Sequence, residues 1–396
     1  MRRQAIIHWG VSSYFGWGVY GLNLARCWVG DPDIEPIAAL PVREADLVVD
    51  PLVRSALRPF LDRSAAFQAQ LARHAGQSLQ AGAAVLHALG NDLAAGPGAH
   101  GVRLTGRPTI GVAFFETALL SPEAVGRARA FDRIAAGSSW NARVLEAHGL
   151  GNVSVVLQGV DLALFHPAPR RGLFPDRFLV FSGGKLELRK GQDLVLLGFR
   201  RFAERHPEAL LVTAWHSPWP GLARTIDARG LATPVVLGAD GKPDVRAWAE
   251  ANGIPAGQVL DLGAVPNALL PPILRECDVA LFPNRCEGGT NLVAMECMAC
   301  GVPTILSANT GHLDLVDDTA CFPLREQRPM AGVGAGFADV PGWGESDIEE
   351  IVERLERVYG DRAEAHRRGE RAAERMSRFG WERTADAMKT LIREVN

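Results

Sequence analysis

Short apolar runs alternate with longer segments of helical periodicity from one end of the chain to the other. Apolar runs of this kind are typical of parallel strands that are buried on both faces. Parallel strands need crossover connections, usually helices, so the alternation predicts βαβ units. The runs form two sets, at 5–9, 36–40, 83–88, 109–115, 133–137 and 153–157, and at 178–182, 209–214, 235–237, 259–262, 278–283 and 304–306. Two sets predict two Rossmann-like α/β domains, not one large sheet.

The boundary between the two sets is predicted in the stretch 165–172, which contains two prolines and a glycine. Such residues interrupt regular elements and are common in linkers between domains. We therefore predict one domain at 1–168 and a second at 169–378, followed by a terminal helix at 379–396. Residues 325–345 are rich in glycine and proline and predict a long loop.

The composition excludes several classes of protein. Of 396 residues, 47% are hydrophobic and 22% are charged, which excludes intrinsic disorder over most of the chain. The net charge of −3 argues against a nucleic-acid partner. Apolar runs fall short of the roughly 20 residues of a membrane span, so we expect at most peripheral membrane contact. Six sparse cysteines in mostly apolar surroundings predict a reduced, cytoplasmic protein.

The strongest functional signal is the segment 282–303, which predicts a strand, a glycine-rich turn and a helix. The turn Gly288-Gly289-Thr290 would present backbone N–H groups at the helix N-terminus, where they and the helix dipole favour phosphate. Glu287 precedes the turn, and Glu296 lies more than two helical turns along. Carboxylates that flank a phosphate-binding turn suit a ligand with hydroxyls on both sides of a diphosphate, such as a nucleotide sugar.

This segment resembles the Glu-x7-Glu region of the retaining GT-B glycosyltransferases of family 4, including its ending at 299–303. In that family the first Glu contacts the transferred sugar and the second contacts the ribose hydroxyls. The resemblance implies these roles for Glu287 and Glu296. It also implies donor contacts for the residues that follow Glu287: Gly288, Gly289, Thr290 and Asn291.

The motif departs from the family at one point, because eight residues rather than seven separate Glu287 from Glu296. Two arrangements are open. In the first, a bulge within 288–291 absorbs the extra residue and Glu287 still contacts the sugar. In the second, Glu287 turns to solvent or to Arg285, and Asn291 or a backbone N–H takes over the sugar contact. Adjacent glycines adopt positive φ without steric cost, so we predict the first arrangement.

The segment 178–196 resembles the strand and loop that carry two cations in the same family, an Arg or Lys followed by a Lys-Gly pair. The resemblance implies that Lys185 and Lys190 bind the donor diphosphate. The departing diphosphate gains negative charge in the transition state, so cations that are already in place stabilise it.

Two loops fit the family with less specific motifs. The loop 10–18 precedes a helix expected at 19–28, and the resemblance implies that it closes over the donor, with Gly16 and Gly18 allowing close approach. The stretch 262–267 resembles the loop that meets the nucleotide base, and it contains Gly263.

Related enzymes often place a histidine near the sugar, after a middle strand of the first domain. In this sequence Glu116 stands at that place, and His87 and His312 are other polar candidates. An ordinary structural role is the alternative for each of them.

No metal or redox centre is predicted. The pair Cys297-x-x-Cys300 has no partner pair in the sequence and lies on an apolar helix, so packing is the favoured interpretation. Asp31-Pro32-Asp33 is a lone Asp-x-Asp in a proline-containing turn, for which a loop is the favoured interpretation. Both agree with metal-independent chemistry.

The resemblance covers most of 133–396 and implies a GT-B fold, with two Rossmann-like domains facing across a cleft. It implies that 1–168 lies on the acceptor side, that 169–378 binds the nucleotide sugar, and that 379–396 returns to the first domain. The implied activity is retaining, hexosyltransferase-like and without a cofactor, because the nucleotide diphosphate sugar is the co-substrate. The acceptor, a glycan, protein or small molecule, stays open. The alternatives are a catalytically weak nucleotide-sugar binding protein and a GT-B nucleotide-sugar epimerase.

Overall fold

The computed structural model describes residues 2–217, 219–332 and 340–395. Contacts divide the chain into two compact units. The first comprises Met1–Asp161, Pro266–Ala268 and Phe379–Asn396, and the second comprises Leu162–Val265 and Leu269–Arg378. The N-terminal segment of the first unit ends at Asp161, a few residues before the predicted boundary at 168.

Eight strands belong to the first unit: β1 Arg3–His8, β2 Ile34–Ala38, β3 Ser78–Gln80, β4 Ala84–Leu89, β5 Arg103–Thr105, β6 Thr109–Ala113, β7 Arg133–Ala136 and β8 Val153–Val155. Six of them form a parallel sheet in the order β2-β1-β4-β6-β7-β8, and β3 pairs with β5. The helices that connect them are α1 Gly16–Val29, α2 Pro51–Ala72, α3 Pro122–Arg129 and α4 Ser139–Ala147. Every strand predicted for this half lies in the six-stranded sheet.

The second unit contains β9 Phe178–Gly183, β10 Ala209–Ala214, β11 Val259–Asp261, β12 Val279–Phe282, β13 Thr304–Ser307 and β14 Phe322–Leu324. These strands form a parallel sheet in the order β11-β10-β9-β12-β13-β14. Its helices are α5 Gln192–Ala203, α6 Val245–Ala251, α7 Leu270–Leu274, α8 Leu292–Ala299, α9 Ile348–Gly360 and α10 Arg362–Met376. The two parallel sheets, each with its own helices, confirm the predicted Rossmann-like α/β fold.

In this half one strand prediction is wrong, and one strand was not predicted. Residues 235–237 lie in a loop, where Leu237 forms an isolated bridge with Pro243. The run is short, and the backbone N–H of Val235 donates to the Asp227 carboxylate instead of to a strand. Conversely, β14 was not predicted, and it contains Pro323, a residue that argues against a central strand. The strand lies at the edge of the sheet, where proline is tolerated.

The predicted loop 325–345 contains regular structure at both ends. Strands β15 Gln327–Pro329 and β16 Gly344–Ser346 pair in antiparallel fashion. The part of this prediction that falls on 333–339 lies outside the described residues.

The last helix, α11 Trp381–Glu394, packs within the first unit. Thr384 Oγ1 donates to the carbonyl of Leu157 at 2.9 Å. Lys389 Nζ lies 2.7 Å from carboxylate oxygens of both Asp31 and Asp33. The Asp-x-Asp of the sequence therefore anchors the last helix.

Among the helices of the described ranges, none combines the length and the apolar character that a membrane crossing requires.

Candidate active site

Three loops of the second unit follow the carboxyl ends of adjacent strands. The loop after β9 carries Lys185 and Lys190, the loop after β12 carries Glu287, and the turn after β13 carries His312. In open parallel sheets this edge is where ligands bind. The sheet therefore places these residues of three separate sequence segments at one edge.

Glu287 is the central carboxylate of this edge and is 4% exposed. Its carboxylate accepts hydrogen bonds from Lys190 Nζ and from Asn284 Nδ2, and lies 3.0 Å from Arg189 Nη1. Burial alone would raise the pKa of Glu287, but the attraction of Lys190 and Arg189 outweighs it and lowers the pKa to about 2. Glu287 is therefore ionised at neutral pH.

Three cations, which we call the cation cluster, lie in the loop after β9: Lys185, Arg189 and Lys190. Arg189 lies between two carboxylates, because its Nη2 is 2.7 Å from Glu187 Oε1 and its Nη1 contacts Glu287. Burial lowers the pKa of Lys190, and the charge of Glu287 opposes this shift. Lys185 is more exposed, and its Nζ lies 5.2 Å from the centre of the Trp219 ring. The three cations outnumber the ionised carboxylates of Glu187 and Glu287, so these five side chains together carry a net positive charge.

Sequence reasoning missed Arg189, although it immediately precedes Lys190. The turn Leu188–Lys190 ends at Gly191, which has a φ of 69°. A Cβ at Gly191 would lie only 2.5 Å from the carbonyl oxygen of Pro283, so a side chain is excluded. The Lys-Gly pair of the sequence thus marks a close approach between the loops after β9 and β12.

Arg285 lies in the loop after β12, and its fully buried side chain connects this loop to the first turn of α5 and to β16. Its Nη1 and Nη2 donate to the Asp193 carboxylate at 2.8 and 2.7 Å, and its Nε donates to Glu345 at 2.9 Å. Arg229 binds the same Glu345 carboxylate at 2.8 and 2.9 Å. Glu287 is thus placed on the cation cluster, rather than in solvent or on Arg285.

The predicted phosphate-binding turn, 288–290, is buried and leads into α8. A positive φ was expected at Gly288 or Gly289. It occurs instead at Asn291, the N-cap of α8, where φ is 62°. Asparagine tolerates this conformation better than most residues. Glu296 lies within α8 and is 2% exposed.

The turn after β13 supports Glu287 from the other side. The backbone N–H of Glu287 donates to Thr310 Oγ1 at 2.8 Å, and that of Gly311 donates to the Glu287 carbonyl at 3.0 Å. A Cβ on Gly311 would overlap the carbonyl oxygen of Gly289. Glycine at 311 therefore sets how closely this turn approaches the Glu287 loop.

Replacement of Gly311 by alanine should lower the free energy of unfolding by about 1–3 kcal/mol, because the added methyl forces the two turns apart. Gly126 is the matched control. It lies inside α3 with open space around its Cβ position, so Gly126→Ala should raise stability by about 0.5–1 kcal/mol. Urea denaturation of both variants measures the difference. Equal stability of Gly311→Ala and the unmodified chain would contradict the packing argument.

Gly263 follows β11 at the same edge of the second sheet and has a φ of 62°. Open space surrounds its Cβ position. Its backbone N–H lies 3.4 Å from the Asp261 carboxylate, which accepts a closer hydrogen bond from Thr213 at 2.7 Å.

The glycines predicted in the first unit lie in a helix. Helix α1 begins at Gly16, three residues before the expected start, so Gly16 and Gly18 form its first turn. A Cβ on Gly18 would overlap Ser12 Oγ, which gives this glycine a packing role. Open space surrounds the Cβ position of Gly16.

The polar candidates of the first unit have separate surroundings. Glu116 follows β6, and its backbone N–H donates to Asn91 Oδ1 at 2.9 Å. His87 lies within β4, where its Nδ1 is 3.0 Å from Nδ1 of His8. Burial lowers the pKa of His87 to about 4, so the two imidazoles form a neutral buried pair. This geometry favours a structural role for His87.

The cysteine pair is buried in α8 and at its C-cap. Burial raises the pKa of the Cys300 thiol to about 12 and raises the pKa of the Cys297 thiol well above its usual value, so both are protonated at neutral pH. In the described part of the chain, no three His, Cys, Asp or Glu side chains form a group that could hold a metal ion.

Comparison with known proteins gives consistent relatives. A family model described as "Family 4 Glycosyltransferase in conflict systems" matches residues 268–388. D-inositol 3-phosphate glycosyltransferase 2 of Catenulispora acidiphila is 29% identical over 273 residues, which are 65% of this chain and 55% of that protein. The D-inositol 3-phosphate glycosyltransferase of Segniliparus rotundus is 26% identical over 60% of this chain and 45% of its own length. The chain spans about half the length of these curated relatives.

Solved structures share the fold over nearly the whole chain. Sucrose-phosphate synthase from Thermosynechococcus elongatus superimposes with a TM-score of 0.64 at 16% identity, covering 100% of this chain and 99% of its own. Anabaena HepE in complex with UDP-glucose gives a TM-score of 0.62 at 14% identity, covering 98% of this chain and 100% of its own. The family model and the curated relatives make this chain similar to family 4 glycosyltransferases, and the solved structures show that it shares their GT-B fold.

Proposed function

We propose that this chain transfers a sugar from a nucleotide diphosphate donor to an acceptor, with retention of configuration and without a metal ion. The observation that carries the proposal is the contact of the Glu287 carboxylate with Lys190 and Arg189 at the carboxyl edge of the second sheet. A carboxylate accepts hydrogen bonds from sugar hydroxyls, and the adjacent cations attract a diphosphate. One small region thus offers both chemistries that a nucleotide sugar requires.

Other predicted residues of the second unit suit the rest of such a donor. The turn 288–290 before α8 suits the phosphates, and the buried Glu296 suits the ribose hydroxyls. Gly263, with open space around it, suits a loop beside the base. The HepE structures contain UDP or UDP-glucose, which makes uridine the first base to test.

The cation cluster also has a catalytic role in this proposal. The bond between the anomeric carbon and the diphosphate oxygen breaks, and a bond from the acceptor oxygen forms on the same face of the sugar. The diphosphate leaves with the bonding electron pair, and its oxygen takes the acceptor proton. Lys190 and Arg189 stabilise the negative charge that develops on the leaving group.

A panel of nucleotides and nucleotide sugars tests the proposal directly. Ligands that bind only the folded state raise the melting temperature, so UDP, GDP and ADP and their glucose, galactose or mannose esters can be ranked by thermal shift. Transfer is then followed by mass spectrometry with glycan, protein and small-molecule acceptors. Donor binding without transfer would indicate a binding protein, and conversion of the donor sugar without acceptor would indicate an epimerase.

Glu296→Gln should weaken nucleoside diphosphate binding by about 1–3 kcal/mol, because a charge-assisted hydrogen bond to the ribose is replaced by a neutral one. Isothermal titration calorimetry measures the change. Glu353→Gln is the control, since this glutamate of α9 is largely exposed and should leave affinity unchanged. Unchanged affinity of the Glu296 variant would remove Glu296 from the ribose site.

A further inference from the structure

His312 lies in the turn Thr310–Asp314 and its side chain is completely buried. Its two ring nitrogens have different neighbours. Nε2 lies 3.0 Å from Asn291 Nδ2, whereas Nδ1 lies 2.9 Å from Ser307 Oγ and 3.2 Å from the Ser307 carbonyl oxygen. The imidazole therefore connects the turn after β13 to the N-cap of α8.

These neighbours determine which nitrogen carries the proton. The carbonyl of Ser307 can only accept a hydrogen bond, and Ser307 Oγ gives its own proton to the Asn284 carbonyl at 2.7 Å. Nδ1 must therefore be the donor. Burial lowers the pKa of His312 to about 4, so the ring is neutral at pH 7 and Nε2 has a free lone pair.

The same reasoning fixes the orientation of the Asn291 amide. Nε2 of the neutral ring can only accept, so Asn291 must present its NH2 group to the imidazole. The Oδ1 atom of Asn291 is then the amide atom that does not contact the ring. The backbone of Asn291 is held at the N-cap of α8, and its side chain is 4% exposed. The carboxamide thus has one defined orientation.

Asn291 and Glu287 belong to one supported turn. The turn that carries His312 bonds to the backbone of Glu287 through Thr310 and Gly311, and to the side chain of Asn291 through the imidazole. A change at His312 would therefore reach Asn291 directly. Glu287 keeps its own ties to the cation cluster and to Asn284.

We propose that His312 is a positioning residue that orients Asn291, so that Asn291 Oδ1 accepts a hydrogen bond from a hydroxyl of the transferred sugar beside Glu287. This inference rests on the proposed function and adds a substrate class to it. A carboxylate and an amide oxygen both accept, so the pair suits a neutral sugar with free hydroxyls. A uronic acid would set its own carboxylate against these acceptors, and a deoxy sugar would leave an acceptor unpaired.

The test measures donor kcat/KM for His312→Leu, Asn291→Ala and the double variant. The unmodified chain is first assayed with UDP-glucose, UDP-galactose, ADP-glucose and GDP-mannose, and the best donor is used throughout. Each single variant should lose about 10-fold in kcat/KM, as expected for one buried hydrogen bond. The double variant should lose no more than either single one, because both changes remove the same contact.

Two further measurements separate positioning from general damage. Affinity for the nucleoside diphosphate alone should be unchanged in every variant, since it lacks the sugar. His312→Gln should recover part of the activity, because its side-chain oxygen can accept from Asn291 while its NH2 group donates to Ser307. A separate assay tests the substrate class. The nucleoside diphosphate ester of a uronic acid, with the same base as the best donor, should be a poorer donor than the ester of the neutral sugar.

The outcomes that overturn the inference are distinct from failure of the proposed function. Three outcomes would each exclude the positioning role. The first is a loss of kcat/KM in the double variant that equals the product of the two single losses, and the second is a loss of nucleoside diphosphate affinity. The third is a reduced melting temperature with unchanged kcat/KM. Failure of the unmodified chain to bind any of the four donors would instead overturn the proposed function itself.

Discussion

Lys190→Ala is expected to lower the turnover of sugar transfer about 100-fold, as removal of one preorganised electrostatic contact does in other enzymes. Its effect on donor affinity should be smaller, because the charge on the diphosphate grows as the glycosidic bond breaks. Lys190 is well placed for this role, since its side chain is only 10% exposed and shares a carboxylate with Arg189. The low exposure strengthens its interaction with a developing charge.

Steady-state kinetics with saturating acceptor separate turnover from donor affinity. Lys242→Ala is the matched control, because Lys242 lies in the same unit, is 63% exposed and pairs with Asp240. Arg189 stays beside Glu287 in the Lys190 variant, so the carboxylate keeps a cationic neighbour and the loop should remain folded. Wild-type turnover in a folded Lys190→Ala variant would exclude Lys190 from leaving-group stabilisation.

Arg285→Met is expected to destabilise the protein by about 3–5 kcal/mol, the range found when one partner of a buried ion pair is removed. Asp193 is completely buried and would lose both guanidinium hydrogen bonds. Glu345 would keep Arg229, so the main loss falls on Asp193. The methionine side chain has a similar length, which limits the contribution of lost packing.

Urea denaturation, followed by circular dichroism, measures this loss. Arg325→Met is the control, because Arg325 and its partner Asp318 are both more than half exposed and such pairs contribute about 0–1 kcal/mol. Combining Arg285→Met with Asp193→Leu should recover part of the stability, since no carboxylate is then left unpaired. A loss below about 1 kcal/mol for Arg285→Met would show that Asp193 finds another partner.

The fold could be predicted where periodicity and burial agree. Strands β9 and β12 are buried along their whole length, so each appears in the sequence as a continuous apolar run. Strand β14, which was not predicted, contains Pro323; proline is tolerated in an edge strand, and the position of a strand at an edge depends on the whole sheet rather than on local sequence. Helix α1 begins three residues earlier than expected, and its first turn packs Gly18 closely against Ser12, a contact that helix propensity does not report.

The candidate site could be predicted only as far as its motifs extend. Glu287 and the Lys-Gly pair stand out in the sequence because of their turns. The side chains that hold them do not, since Arg285 lies 92 residues from Asp193, and Asn291 lies 21 residues from His312. The positive φ at Asn291, which lies between Glu287 and Glu296, is likewise not marked by any motif in the sequence.

The position of α11 has a consequence for how the chain is made. Trp381 is buried in the first unit against Tyr20, with ring centres 5.3 Å apart, yet it leaves the ribosome only after the whole of the second unit has been synthesised. The nascent first unit must therefore wait with an uncovered aromatic surface while residues 162–378 are added. A chaperone that recognises exposed aromatic side chains could bind this uncovered surface of the first unit during that interval.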